Sequence, residues 1–232
     1  MNEIQYDLER ISTDFGRILK EFQQLEYEKN LIAINQKLFN FKTSYIAPAY
    51  HLNRFDKATK EFFENDLPKS LQKGYMDENT MSLLTVKLHL EFNTVLYSLK
   101  MSLDRIVFFM SKYYKGISPN NTFGRIREDG KPKSMMAEVV RLKDSDKIMN
   151  LIFENYNEWI GEAVKPRDTI THYENLNLSF LEITESNFTP VFNHRQKEID
   201  SFGREELILY IDKWYLFINE FLNLLLNEKI KK

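Results

Sequence analysis

The 232-residue chain contains no cysteine. Disulfide frameworks, thiolate metal sites and cysteine nucleophiles are therefore excluded. Glycine and proline are scarce, at seven and six, and long stretches hold neither, which favours helices over turn-rich β architecture. No apolar run approaches the roughly 18 residues of a membrane span. The opening residues MNEIQYDLER are polar from the second position, so no secretory signal is expected and the chain reads as cytoplasmic. Neither sign of charge dominates. The formal net charge is −2, so no global field marks a nucleic-acid binder.

What the chain does have is material for a core. It is 43% hydrophobic and 28% charged, the balance of one folded domain. Charge is locally uneven. Residues 101–150 hold ten Lys and Arg against six Asp and Glu, either a solvated face or a phosphate-attracting margin beside a site.

Apolar periodicity points to an all-α fold. Leu84, Leu88, Phe92, Val95, Leu99, Leu103, Ile106 and Met110 recur at steps of three and four, predicting a long helix from about Met81 to Tyr114. Ile148, Ile152, Tyr156, Trp159 and Ala163 predict a second, over 145–163. A third runs from about Arg204 to the C-terminus, with Leu207, Ile211, Trp214, Ile218, Phe221 and Leu225 inward. The first forty residues also read as helix, and a shorter helix is expected near 54–64. Gly116 to Ser134, with Ser-Pro-Asn-Asn and Asp-Gly, reads as a basic loop. NLSFLEIT and FTPVFN alternate with period two, predicting a small β-hairpin near 176–194 with Pro190 on an edge strand. Phe-Gly-Arg occurs at 15–17, 123–125 and 202–204, each time after Asp, Thr or Ser. That placement suggests three helix starts with N-caps.

Candidate chemistry concentrates in KPRDTITHYEN, Lys165 to Asn175. Pro166 cannot continue a helix and disfavours helical backbone at Lys165, so the preceding helix must end or kink there. A new turn started at Pro166 would put Arg167 beside a positive helix N-terminus, where anions bind. Arginine supplies a fixed planar cation for a phosphorane, and histidine titrates near neutrality, so Arg167 with His172 suits metal-free phosphodiester cleavage. Asp168 and Tyr173 would support them, one by orienting a partner and one by donating to a phosphate oxygen. His172 lies about 140° round an ideal helix from Arg167. A long side chain, a distorted turn or a second subunit is needed for both to reach one ligand. The plainer reading of the same residues is an ion pair in a first helical turn. His89, Asn93, Tyr97, Lys100 and Asp104 form a polar row beside the apolar stripe of the long helix, either a cleft wall or a solvent face. His51 and His194 read as structural or surface residues. No metal ligand cluster is apparent, and no cofactor is expected.

RDTITHY, placed after a break that follows an amphipathic helix, resembles the motif of the HEPN superfamily (higher eukaryotes and prokaryotes nucleotide-binding domains). That motif is an arginine, a polar residue, and a histidine four to six residues after the arginine. Arg167, Asp168 and His172 match it, and Tyr173 resembles an aromatic position of some members. Asp168 stands where asparagine is commonest. The resemblance covers the body from about Met81 to Ala163, the motif and the closing helix. It implies one HEPN-like helical bundle over 1–232, with 1–65 as an N-terminal extension and 176–194 as an insertion. It also implies a homodimer whose two motifs face each other and metal-independent endoribonuclease activity on RNA. Toxin–antitoxin or phage-defence settings follow, with an antitoxin or other protein partner. Some members have lost catalysis and only bind nucleotide, RNA or protein. A purely structural helical protein is the remaining reading.

Overall fold

The computed structural model describes residues 6–25, 31–73, 75, 77–127, 129–164 and 203–231, and the backbone of 177–183 and 188–193. Helices dominate. Helix α1 (Leu8–Gln24) starts where the Asp7 carboxylate accepts from the backbone N–H groups of Glu9 and Arg10, the N-cap chemistry that satisfies otherwise orphaned donors. Its Phe15 packs on Phe41 and Tyr45 of α2 (Ile32–Glu61), with ring centroids 6.0 and 4.7 Å apart.

Helix α2 corrects an expectation. The short helix anticipated near 54–64 is the end of a 30-residue helix that runs straight through Pro48. Proline removes one ladder donor, which orphans the carbonyl four residues earlier. Here that carbonyl is Ser44's, and the buried Ser102 hydroxyl of the neighbouring helix lies 2.8 Å from it and 2.7 Å from the Ser98 carbonyl, so its proton is shared between the two. A tertiary contact thus supplies what the local sequence lacks. A π turn, Phe62–Asp66, then joins α2 to α3 (Leu67–Lys73).

Helix α4 (Glu78–Tyr113) begins at Asp77, whose carboxylate accepts from the Thr80 N–H. It lies antiparallel to α2: Asn40 meets Arg105, Ser44 meets Ser102 and His51 meets Glu91. The predicted stripe from Leu84 to Met110 is buried throughout. The segment after α4 is irregular up to Ser134, with one bridge between Ile126 and Pro132. Gly124 adopts φ +81° there, and a side chain on it would collide with the Lys133 carbonyl, so glycine is required. The short helix α5 (Met135–Leu142) follows, unanticipated from sequence.

Helix α6 (Lys147–Asn155) is capped by Asp146 and continues through a π turn, Tyr156–Ile160, to 164. Helix α7 (Arg204–Leu225) extends through a last π turn, Leu226–Ile230. It lies antiparallel to α6, with Lys147 on Glu228 and Lys213 on Glu158, and antiparallel to α2, with Asp56 on Arg204 and Tyr45 on Asn219. Strands β1 (Asn177–Ile183) and β2 (Phe188–Asn193) pair antiparallel, Asn177 opposite Asn193 and Phe180 opposite Pro190.

The three Phe-Gly-Arg triplets do not share a role. Gly16 lies inside α1, and Gly124 lies in the irregular segment. Only Gly203 caps a helix, with its N–H donating to Glu206 at 2.8 Å. One core of buried apolar side chains draws on residues from Phe15 to Ile230. Among the described residues no helix is long and apolar enough to cross a membrane.

Candidate functional site

Arg167, Asp168, His172 and Tyr173 lie outside the described residues, as does His194. The anchor from which the motif departs is described. Helix α6 reaches Val164 with Ala163 and Val164 buried, so the chain leaves for Lys165 from the edge of the core. Upstream, Trp159 is fixed by its Nε1–H donating to Asn155 Oδ1 at 2.8 Å. The Tyr156 hydroxyl accepts from the Ile126 N–H at 2.7 Å and so holds the irregular basic segment against α6.

The polar row on α4 divides into two parts. Lys100 donates to Asp104 at 2.6 Å, and the same Asp104 oxygen accepts from the Phe123 N–H at 2.8 Å. These two residues therefore anchor the loop that follows α4. The other part includes a contact within the helix itself. His89 Nδ1 lies 2.8 Å from the Thr85 carbonyl, and Asn93 Oδ1 is buried without a hydrogen bond. Tyr97 is 37% exposed.

Much of the positive charge of 101–150 is engaged within the chain. Arg141 forks onto Glu138, Lys147 meets Glu228, and Lys131 meets Asp129 at 3.6 Å. Arg105 donates to the Asn40 carbonyl, and Lys112 lies over the Phe108 ring. Lys143 meets Asp144 at 3.2 Å and Arg125 is also engaged, so a phosphate-attracting margin would have to be built from Lys115, Arg127 and Lys133, which make no ion pair among the described residues.

Two constellations were not anticipated from sequence. Glu91 bridges His51 Nδ1 at 2.7 Å and Arg54 Nε at 2.6 Å, with the Tyr50 hydroxyl 3.5 Å from Arg54. Its carboxylate clamps α2 to α4. The pattern was hidden because the expected helix near 54–64 leaves out His51, and because Glu91 lies 37 and 40 positions from its two partners. The second is Asp146. Besides capping α6, it accepts from the Tyr114 hydroxyl and from Lys229, each at 2.7 Å. Burial works to raise this carboxyl, but the Lys229 ammonium and Tyr114 hydroxyl outweigh it and hold Asp146 below the ordinary aspartate range. Burial and the same contact push the Tyr114 phenol up. Comparison with profiles of protein families, with curated proteins and with solved structures found no match.

Proposed function

We propose that the protein is a metal-independent endoribonuclease of the HEPN type, cleaving RNA phosphodiesters in a composite site of a homodimer. One observation carries the reading: the Arg167–Asp168–His172–Tyr173 sequence directly follows a long core-anchored helix that reaches Val164. The predominance of helix in the described residues is compatible with a HEPN-like bundle carrying a small β insertion. Arg167 holds the scissile phosphate and stabilises its developing charge. His172 takes the proton of the 2′-hydroxyl or returns one to the leaving oxygen. Asp168 orients one of these partners, and Tyr173 donates to a phosphate oxygen.

The test is incubation of the pure protein with mixed RNAs in excess chelator. Cleavage is expected, and Arg167→Ala and His172→Ala are each expected to abolish it with the circular dichroism spectrum unchanged. Undiminished cleavage by both variants would sink the proposal. Asp168 favours a second reading, because a carboxylate beside the arginine repels phosphate. On that reading the protein is a non-catalytic module that holds nucleotide, RNA or a protein partner, and the same assay gives binding without cleavage.

A further inference from the structure

The irregular segment after α4 holds a small basic ribbon. Ile126 bridges Pro132 in antiparallel fashion, the Arg127 N–H donating to the Lys131 carbonyl at 3.0 Å and the Lys133 N–H to the Arg125 carbonyl at 2.9 Å. Gly130 closes it, donating to the Arg127 carbonyl at 2.9 Å from a φ of +76°, a left-handed glycine of the kind that ends short hairpin loops. Successive side chains of an extended chain point to opposite faces, and opposed residues share a face. Arg125, Arg127, Lys131 and Lys133 therefore stand on one face, two by two. All four are exposed, whereas Ile126 and Pro132 on the other face are partly covered and Ile126 packs on the core. The ribbon is also held at its base. Tyr156 accepts from the Ile126 N–H, the buried Phe123 gives its N–H to Asp104, and the Thr122 and Ser134 hydroxyls lie 3.1 Å apart.

Like charges set directly opposite one another are destabilising, and here Arg127 opposes Lys131 and Arg125 opposes Lys133. Relief within the chain is slight. Lys131 meets Asp129 at 3.6 Å as an exposed pair, which contributes little. Arg125 is engaged within the chain, while Arg127 and Lys133 make no ion pair among the described residues. We propose that this face grips the sugar–phosphate backbone of an RNA strand, with Arg127, Lys131 and Lys133 carrying the contacts. Charge selects an anion, and spacing selects a polyanion: side chains two apart on one arm are separated by about 6.7 Å, so the face meets successive phosphates rather than one. Among the described residues no large apolar side chain is exposed between Met101 and Leu209. The face thus lacks the apolar anchor of a membrane-surface element and the aromatic platform on which bases stack. Phosphate contacts alone position a strand without reading its sequence. Tyr156 ties the ribbon to α6 about 12 Å along the helix axis from Val164, so a strand gripped there lies beside the helix that leads to the motif. The choice of RNA rests on the ribonuclease reading, whereas the phosphate grip does not.

The probe is a fluorescein-labelled 2′-O-methyl RNA of mixed sequence, which keeps the phosphates but has no 2′-hydroxyl to attack with. Its anisotropy with the full chain is expected to show binding that weakens as salt rises, with a log–log slope of about −2 for three contacts at about 0.7 each. Arg127→Gln together with Lys133→Gln should weaken binding on the order of tenfold or more at low salt and reduce the slope by about 1.4, with the circular dichroism spectrum unchanged. Should that pair misfold, Arg127→Gln alone serves, with a slope change of about 0.7. Lys57→Gln together with Lys60→Gln removes the same charge from an exposed stretch of α2 and should leave binding as it is. A wild type that does not bind, equal losses in the ribbon and α2 variants, or preference for phosphatidylserine vesicles or poly-glutamate over the RNA probe would each overturn the proposal. Cleavage of ordinary RNA by a chain whose ribbon variants still hold the probe normally would sink the grip alone. A probe held through the ribbon, with ordinary RNA left intact, would sink the ribonuclease reading alone.

Discussion

Pro48 and Ser102 show how one residue's deficit is met by another. The Ser44 carbonyl loses its helical donor to Pro48 and receives the Ser102 hydroxyl instead. Ser102→Ala should therefore leave a buried acceptor unsatisfied and cost about 1–3 kcal/mol in urea denaturation. Pro48→Ala restores the N–H, so Ser102→Ala made in that background should cost measurably less. Equal costs in the two backgrounds would show that the serine acts elsewhere. Arg204 and Asp56 pose a related case. The guanidinium grips both carboxylate oxygens, at 2.6 and 3.0 Å, and Asp56 is buried. Asp56→Ala leaves that largely buried cation with only the exposed Glu205 carboxylate, 3.1 Å away, as an ionic partner, so a loss somewhat below the about 3–5 kcal/mol of a wholly uncompensated buried charge is expected. Neither pairing is legible in the sequence, because residues 44 and 102, or 56 and 204, are brought together only by the antiparallel packing of long helices.

At the scale of elements, periodicity was informative where one face of a helix is buried. The stripe from Leu84 to Met110 located α4 to within three residues at its start. It failed at α2, where only a short helix near 54–64 was expected and the helix in fact runs on from Ile32 through Pro48. It failed also at the Phe-Gly-Arg triplets, since Gly16 sits within a helix strong enough to absorb it. Capping is the other element-scale determinant, and Asp146 is its most connected example. Because its folded carboxyl titrates below that of an unfolded aspartate, its stabilisation is complete above about pH 4 and drains away as the pH falls through the lowered value. Asp146→Asn keeps a good N-cap but loses the ion pair with Lys229, and should lower stability at neutral pH by about 0.2–1 kcal/mol. It should also flatten the acid limb of a stability–pH curve below about pH 4. An unchanged acid limb would assign that dependence to other carboxylates.

For the molecule as a whole, the helical class was legible from the scarcity of glycine and proline and from the sustained stripes. The candidate site was legible only as a motif, because Arg167 and His172 are five positions apart and their approach depends on how the chain continues beyond Val164. The proposed chemistry gives a whole-molecule expectation. Cleavage of RNA in chelator should depend on both residues and, being housed between copies, should fall with dilution below the dimer dissociation constant. Mixing Arg167→Ala with His172→Ala chains should restore part of the activity if one copy's arginine serves the other's histidine. No restoration would place both groups of each site on one chain.

The π turn at Tyr156–Ile160 has a consequence for length. It holds one residue more than an α turn would need, and Gly161 accommodates the widening beside the Tyr156 carbonyl. Deleting Asn157 should regularise the helix and leave everything after it in phase, because the five residues of the π turn wind about as far as four α residues. Trp159 would then keep its place against Tyr210 and Phe217, and Val164 would stay buried. The π turn thus works as a length buffer: it takes up one residue without changing which side of the helix Val164, the last described residue before the motif, presents to the core.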